Sequence, residues 1–215
     1  DLRSPLSATI GWIELAKTAP NADHLAKAIT ALRRMGDIID NTLALTHYGE
    51  TVVATESFSF SELATECWEI AGASTAELTV VDDGLLAGDR DRVKHIFENL
   101  FRNAIEHAGS SVTVRTGILE SGGFYIEDDG PGIPVGERED VFDAGYSTSD
   151  EGTGFGLSIV KQVVDAHGWE IHLTEGSDGG ARFEITDVVF TAEQAQQRGQ
   201  WVCFLGELPH LLAHG

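Results

Sequence analysis

The residues with the most chemical content lie between positions 99 and 157, in three segments. They read Asn99-Leu-Phe-Arg-Asn103, Asp128-Asp-Gly130-Pro-Gly132 and Gly152-Thr-Gly154-Phe-Gly156-Leu157. Asn99 and Asn103 are spaced i, i+4, which on a helix stacks them on one face. An amide there offers a carbonyl oxygen to Mg2+ and an N–H to a phosphate. Magnesium takes few protein oxygens and completes its shell with phosphate and water. Alone, the pair reads equally as amides satisfying nearby backbone. Asp128 enters a glycine turn, where its carboxylate can accept from an exocyclic amine such as that of adenine. Gly130 and Gly132 let backbone approach the base. Alone, Asp-Gly-Pro-Gly reads as a turn or a calcium loop. Gly152, Gly154 and Gly156 open a helix, whose bare N–H groups and dipole attract phosphate oxygens. The pattern lacks the Gly-Lys-Ser/Thr of a P-loop and the flanks of a dinucleotide fingerprint. Together the segments describe a site for ATP and Mg2+. The stretch from Pro134 to Glu151 between them is long enough for a lid, with Phe142, Tyr146, Ser147 and Thr148 along it.

Composition limits what surrounds that site. The chain has 215 residues, 42% of them hydrophobic, enough for one ordinary domain or two small ones. Thirty-five acidic residues against 14 basic give a net charge of −21. Nucleic acid and anionic membrane are therefore poor partners. The acid excess runs along the whole chain and suits a saline cytoplasm, where screening shortens self-repulsion. No apolar run is long enough to span a membrane, and no signal peptide opens the sequence. A cytoplasmic location is expected, with any membrane anchor in the parent protein outside this segment. Cys67 and Cys203 fit neither zinc spacing nor a disulfide framework.

Periodicity supplies the elements that must position the site. Leu2, Leu6, Ile10 and Ile13 mark one helix; Leu25, Ile29, Leu32, Ile39 and Leu43 mark a second. Pro20 ends the first, and Asp23 is the expected cap of the next. Two such stripes bury their apolar faces most economically by dimerising through residues 1–48 into a four-helix bundle. Residues 49–57 read as a linker, and Ser61 as the cap of a short helix to Ala71. Leu78–Val81 reads as a strand, and Asp89 caps a long helix to Ala108. Strands follow at Ser111–Leu119, Gly123–Asp128, Glu170–Thr174 and Ala181–Ile185, with a helix at Phe155–His167. The fold class is α+β: an antiparallel helical hairpin, then an α/β sandwich with helices on one face of a mixed sheet.

With these residues in place, the chain resembles the sensor histidine kinases of two-component systems. Asn99–His107 resembles the N box, Asp128–Ile133 the G1 box, Glu139–Thr148 the F box and Gly152–Leu157 the G2 box. Gly179–Ile185 resembles the closing strand, and residues 1–47 the dimerisation and phosphoacceptor hairpin. The likeness covers residues 1–188, and its acidity and wording look haloarchaeal. It implies a hairpin domain over 1–50, a catalytic ATP-binding domain over 56–188 and an extension over 189–215 with no assigned role. It further implies that Asn103 coordinates Mg2+, that Asn99 sits by the γ-phosphate and that Asp128 reads adenine. Gly152, Thr153, Gly154, Phe155, Gly156 and Leu157 close on the phosphates, with Thr148, Gly130, Gly132 and His107 completing the nucleotide site. The γ-phosphoryl passes to a histidine and then to an aspartate of a response-regulator receiver domain.

Two departures follow. Related kinases often carry a Lys three residues after the metal-binding Asn, where this chain has Glu106; Arg102, Lys161 or a salt cation would have to compensate. The acceptor motif His-Glu/Asp-Leu-Arg-x-Pro-Leu is matched only from Asp1-Leu-Arg-Ser-Pro-Leu6. The resemblance places the acceptor directly before Asp1, with Asp1 as its acidic neighbour, so this segment is expected not to autophosphorylate. Ser4 stands where relatives carry Thr or Asn for dephosphorylation. His24 and His47 read as solvent-facing, and His210 with His214 as incidental. The alternatives are an ATP-gated binding or phosphatase module without autokinase activity, and a gyrase- or mismatch-repair-like clamp. The latter class has a water-activating Glu where this chain has Asn99.

Overall fold

The computed structural model describes residues 3–18, 21, 23–32, 35–36, 52, 54–71, 75–109, 111–147 and 154–188. Two helices open it: α1 (Arg3–Thr18) and α2 (23–32). Asn21, not Asp23, caps α2: its Oδ1 accepts from the Asp23 backbone N–H at 3.1 Å. The Asp23 carboxylate instead pairs one turn on with Lys27 at 3.0 Å. The helices meet where His24 stacks on Trp12, ring centroids 5.8 Å apart, so His24 does not simply face solvent. Leu6, Ile10 and Ile13 on α1, and Leu25, Ile29 and Leu32 on α2, are exposed in the single chain. Residues 37–48 of the expected hairpin lie outside the described residues.

The remaining elements are β1 (Glu56–Ser59), α3 (Phe60–Ala71), β2 (Glu77–Val80), β3 (Leu85–Gly88), α4 (Arg90–Ala108), β4 (Thr113–Ile118), β5 (Phe124–Asp128), α5 (Gly156–Ala166), β6 (Glu170–Glu175) and β7 (Ala181–Thr186). The expected linker over 49–57 is corrected at its end. Residues 56–59 form a strand that pairs antiparallel with β3, because Phe58 buries its ring while its polar neighbours face out. The cap of α3 is also corrected. Ser59 Oγ accepts from the Glu62 N–H at 3.1 Å, and Ser61 already lies inside the helix.

The main sheet runs β2-β4-β5-β7-β6, with β2 and β4 parallel and the other pairs antiparallel. Alternation sorts its residues. Val114, Phe124, Ile126, Phe183 and Ile185 enter the core under α3, α4 and α5. Phe97 of α4 stacks on Phe124 of β5 with ring centroids 5.5 Å apart, and Phe60 of α3 closes on both. The opposite face is polar. There Glu127 meets Arg182 at 2.8 Å, and the Arg182 guanidinium lies 3.8 Å above the Tyr125 ring. Asp128 shares the parity of Phe124 and Ile126. It therefore ends its strand on the helix-covered face, beside the C-terminal end of α4.

Asp89 caps α4 as expected, accepting from the Arg92 N–H at 3.1 Å. Its own N–H donates to His167 Nε2 at 3.1 Å, and His167 Nδ1 lies 2.7 Å from the Val163 carbonyl. A carbonyl only accepts, so Nδ1 carries the proton and the imidazole is neutral. It stacks on Trp169 at 4.3 Å. Burial holds its pKa below the ordinary histidine range, with Asp89 opposing that shift and Arg92 adding to it. A neutral form favoured by folding contributes stability fully above about pH 6.5, lost as pH falls below that value. Urea midpoints are thus expected to drop as pH falls below 6.5, and His167→Gln to flatten that drop. An identical slope in the variant would refute the coupling.

Cys67 is fully buried, and burial, then the Glu98 charge, push its thiol up to about 12, so it is no nucleophile at neutral pH.

Candidate functional site

A cleft of about 300 Å³ opens between α4, the β5 turn and the start of α5. Eight of the residues expected from sequence line it: Asn99, Asn103, His107, Asp128, Gly132, Gly154, Gly156 and Leu157.

Helical spacing puts Asn99, Arg102, Asn103, Glu106 and His107 on one stripe of α4, and all five face the cleft. Asn99 is the buried member, 3% exposed. Its Nδ2 donates to the His95 carbonyl at 2.8 Å, and its Oδ1 accepts from Arg102 Nη2 at 2.7 Å. A Cβ placed on Gly156 would lie 3.2 Å from Asn99 Oδ1 and 3.6 Å from Asn103 Oδ1. Two amide oxygens thus converge on the first residue of α5, whose N-terminal N–H groups favour anions.

The other end belongs to Asp128. Its Oδ1 accepts from the Gly130 N–H at 2.9 Å and the Ala181 N–H at 3.3 Å. Burial raises its pKa, against the pull of those two bonds, so the carboxylate sits in a site that resists charge. Gly130 seals this end: a Cβ there would fall 2.4 Å from Ala108 Cβ. Gly132 has φ +70°, and its Cβ would meet the Gly179 carbonyl at 2.8 Å. The site therefore has a buried carboxylate at one end, Asp128, and an oxygen-rich, helix-capped end at Asn99 and Gly156.

Residues 88–189 match the family model for the Histidine kinase-, DNA gyrase B-, and HSP90-like ATPase. That segment is a histidine kinase-like ATPase domain. The "Sensor histidine kinase ZraS" of Escherichia coli O157:H7 is 28% identical over 203 residues, covering 86% of this chain and 43% of that protein. The chain spans less than half the length of such relatives. A solved structure, "Mycobacterial sensor histidine kinase MprB", is 26% identical at a TM-score of 0.55, covering 61% of this chain and 95% of its own. "Acinetobacter baumannii histidine kinase AdeS" covers 89% of this chain and 97% of its own at a TM-score of 0.68; its 17% identity makes this a likeness of fold alone.

Not every expected residue of the ATPase domain reaches the cleft. Phe155 packs its ring against the core instead, and Gly130 acts from behind Asp128. Asp1, Thr148, Gly152 and Thr153 lie outside the described residues. The segment expected as a lid has two short 3-10 turns, Val135–Glu137 and Asp140–Phe142. Phe142 leans edge-on against Phe183, and Tyr146 Oη donates to Glu137 Oε2 at 2.8 Å. The Gly145 N–H donates to the Gly154 carbonyl at 2.9 Å. Gly154 needs its glycine there, at φ +71° with a Cβ position 2.6 Å from Gly145 carbon. Of the two side chains expected to compensate, Arg102 lines the cleft, whereas Lys161 pairs with Asp165 at 2.6 Å outside it.

Sequence reasoning missed the wall behind Asp128. The turn Gly176–Gly180 packs there, and a Cβ on Gly180 would lie 1.9 Å from the Asp128 carbonyl oxygen. The signal was the pair Gly179-Gly180 before β7, which reads equally as an ordinary hairpin turn. Ile133, Val141 and Phe183 supply the apolar lining.

Proposed function

We propose that this chain is the kinase core of a two-component sensor histidine kinase. It binds Mg·ATP and hands the γ-phosphoryl to a histidine imidazole, from which a response-regulator aspartate takes it. The observation behind this reading is the convergence of the Asn99 and Asn103 amide oxygens on Gly156, with Asp128 at the far end of the same cleft. The oxygen donors fit Mg2+. They are neutral and hard, and among the described residues no three His, Cys, Asp or Glu side chains cluster to hold another metal. Asn103 would hold the ion together with the nucleotide phosphates; bound there, it would neutralise charge on the group being transferred.

Asp128 orients the base, and the start of α5 orients the phosphates. Transfer to a side chain rather than to water fits position 99. A gyrase-like clamp needs a Glu there, whereas the neighbouring Glu98 lies 3.3 Å from His95 and outside the cleft lining. Sensor histidine kinases in general dimerise and signal to response regulators. In this chain the exposed stripes Leu6-Ile10-Ile13 and Leu25-Ile29-Leu32 support a homodimer through residues 1–48. The acceptor histidine belongs directly before Asp1. The net charge of −21 suits work at high ionic strength. No helix among the described residues is long and apolar enough to cross a membrane.

Asn103→Ala is expected to weaken ATP binding about tenfold in Mg2+ and to leave it unchanged in EDTA. Titration calorimetry of both proteins in the two buffers reads this directly. Equal affinity in Mg2+ would remove Asn103 from the metal site.

A further inference from the structure

The cleft must hold a polyanion, yet its described lining includes Glu106, Asp128 and Glu137, in a chain of net charge −21. Among the described lining residues Arg102 is the one lysine or arginine. Where it sits along the cleft decides what it can do.

The cleft runs along α4. Ala108 marks the base end, since it touches the Gly130 turn beside Asp128. Asn99 marks the other end, against Gly156. Nine residues of helix separate the two, about 13 Å at the usual rise. A purine held at Asp128 therefore sends its phosphates toward Asn99. Arg102 lies within one turn of Asn99, and its Nη2 already reaches Asn99 Oδ1 at 2.7 Å. Glu106 lies a turn nearer the base, about 6 Å back along the axis. A cation at position 106 would meet the first phosphate and the sugar; one at 102 meets the last phosphate.

The amide of Asn99 strengthens the case. Its Nδ2 donates one N–H to the His95 carbonyl at 2.8 Å, which turns Oδ1 toward Gly156 and the cleft. Arg102 brings the charged donors to that end. A guanidinium supplies five N–H groups in a planar fork that matches phosphate oxygens two at a time.

We infer that Arg102 is the residue by which this cleft tells a nucleoside triphosphate from a diphosphate, through direct contact with the terminal phosphate. The inference rests on the nucleotide reading above and deepens it.

The test measures dissociation constants of the full chain for ATP and ADP, each in Mg2+ and in EDTA. Arg102→Gln is expected to weaken ATP roughly tenfold in both buffers and ADP by less than about twofold. Arg102→Lys keeps the charge without the fork and is expected to lose part of the ATP preference. Glu106→Lys should tighten ATP and ADP alike and leave their ratio unchanged. Equal losses for ATP and ADP in Arg102→Gln would overturn the inference, as would no loss. A loss seen only in Mg2+ would also overturn it, since Arg102 would then act solely by orienting Asn99. Where Arg102→Gln melts well below the parent, the ATP-to-ADP ratio of Arg102→Lys decides, and an unchanged ratio refutes the contact. A parent that binds neither nucleotide refutes the nucleotide reading itself; a parent that binds both, with Arg102 indifferent, refutes only this inference.

Discussion

Asp128→Asn is expected to lower ATP affinity about a hundredfold, close to 3 kcal/mol, and to erase the preference for ATP over GTP. The reason lies in which oxygen is already occupied. Oδ1 holds two backbone donors, the Gly130 and Ala181 N–H groups. In the proposed function Oδ2 is then the oxygen that would accept from the adenine amine. An asparagine keeps its own Oδ1 on the two backbone donors and so presents Nδ2 to the base. Two donors then face each other, whereas a guanine carbonyl would find a partner. Folding should not suffer. Burial raises the Asp128 pKa, so the fold favours the protonated acid. The sign follows: a raised carboxyl pKa costs stability as pH rises above the ordinary Asp value of about 3.9. The amide removes that cost, so the ligand-free variant is expected to melt no lower than the parent at neutral pH. Binding lost together with a large fall in melting temperature would show structural damage instead. A parent that binds ATP and GTP equally would sink the base-reading role.

Much of this site was legible because its residues act through period and type. The i, i+4 spacing of Asn99 and Asn103 needs only a helix to place both on one face, and Asp89 with the apolar stripe through Val93, Phe97 and Leu100 announces that helix. Asp128 inherits its direction from the alternation of Phe124 and Ile126. The strand at Glu56–Ser59 was not legible, because three polar residues around one Phe carry no β signal until Leu85–Gly88 supplies a partner. The caps at Asn21 and Ser59 were each displaced by two positions from the expected residue. Neighbouring Asx and Ser residues compete for the same N–H groups, and only the chain's entry angle chooses among them. The role of Gly180 depends on its distance from Asp128, far away in sequence, which no local pattern encodes.

Gly180→Ala is expected to cost about 3–5 kcal/mol of stability and to abolish nucleotide binding with it. The added Cβ would sit 1.9 Å from the Asp128 carbonyl oxygen, 2.5 Å from its carbon and 2.6 Å from Oδ1. Two of those atoms are backbone, so no rotamer relieves the overlap. The turn must retreat by about 1.5 Å to reach an ordinary contact. That movement stretches the Ala181 N–H bond to Asp128, now 3.3 Å, and opens β7 from β5. Glu127 then loses its surroundings. It is 4% exposed, and its pKa stays low only because Arg182 and Ser177 outweigh its burial. Pulling β7 away removes Arg182 at 2.8 Å, and the departing turn removes Ser177 at 3.0 Å. A buried carboxylate left with Arg115 alone, at 3.9 Å, accounts for most of the expected cost. Two neighbouring glycines separate this mechanism from a general intolerance of alanine. Gly136 has nothing within 4 Å and no positive φ, so Gly136→Ala should be silent. Gly179 has open space but φ +94°, so Gly179→Ala should cost about 1 kcal/mol from backbone strain alone. Urea unfolding of the three variants orders them 180, 179, 136. A Gly180→Ala variant as stable as Gly136→Ala would mean that the turn does not press on Asp128, and the second wall of the base pocket would have to be assigned elsewhere.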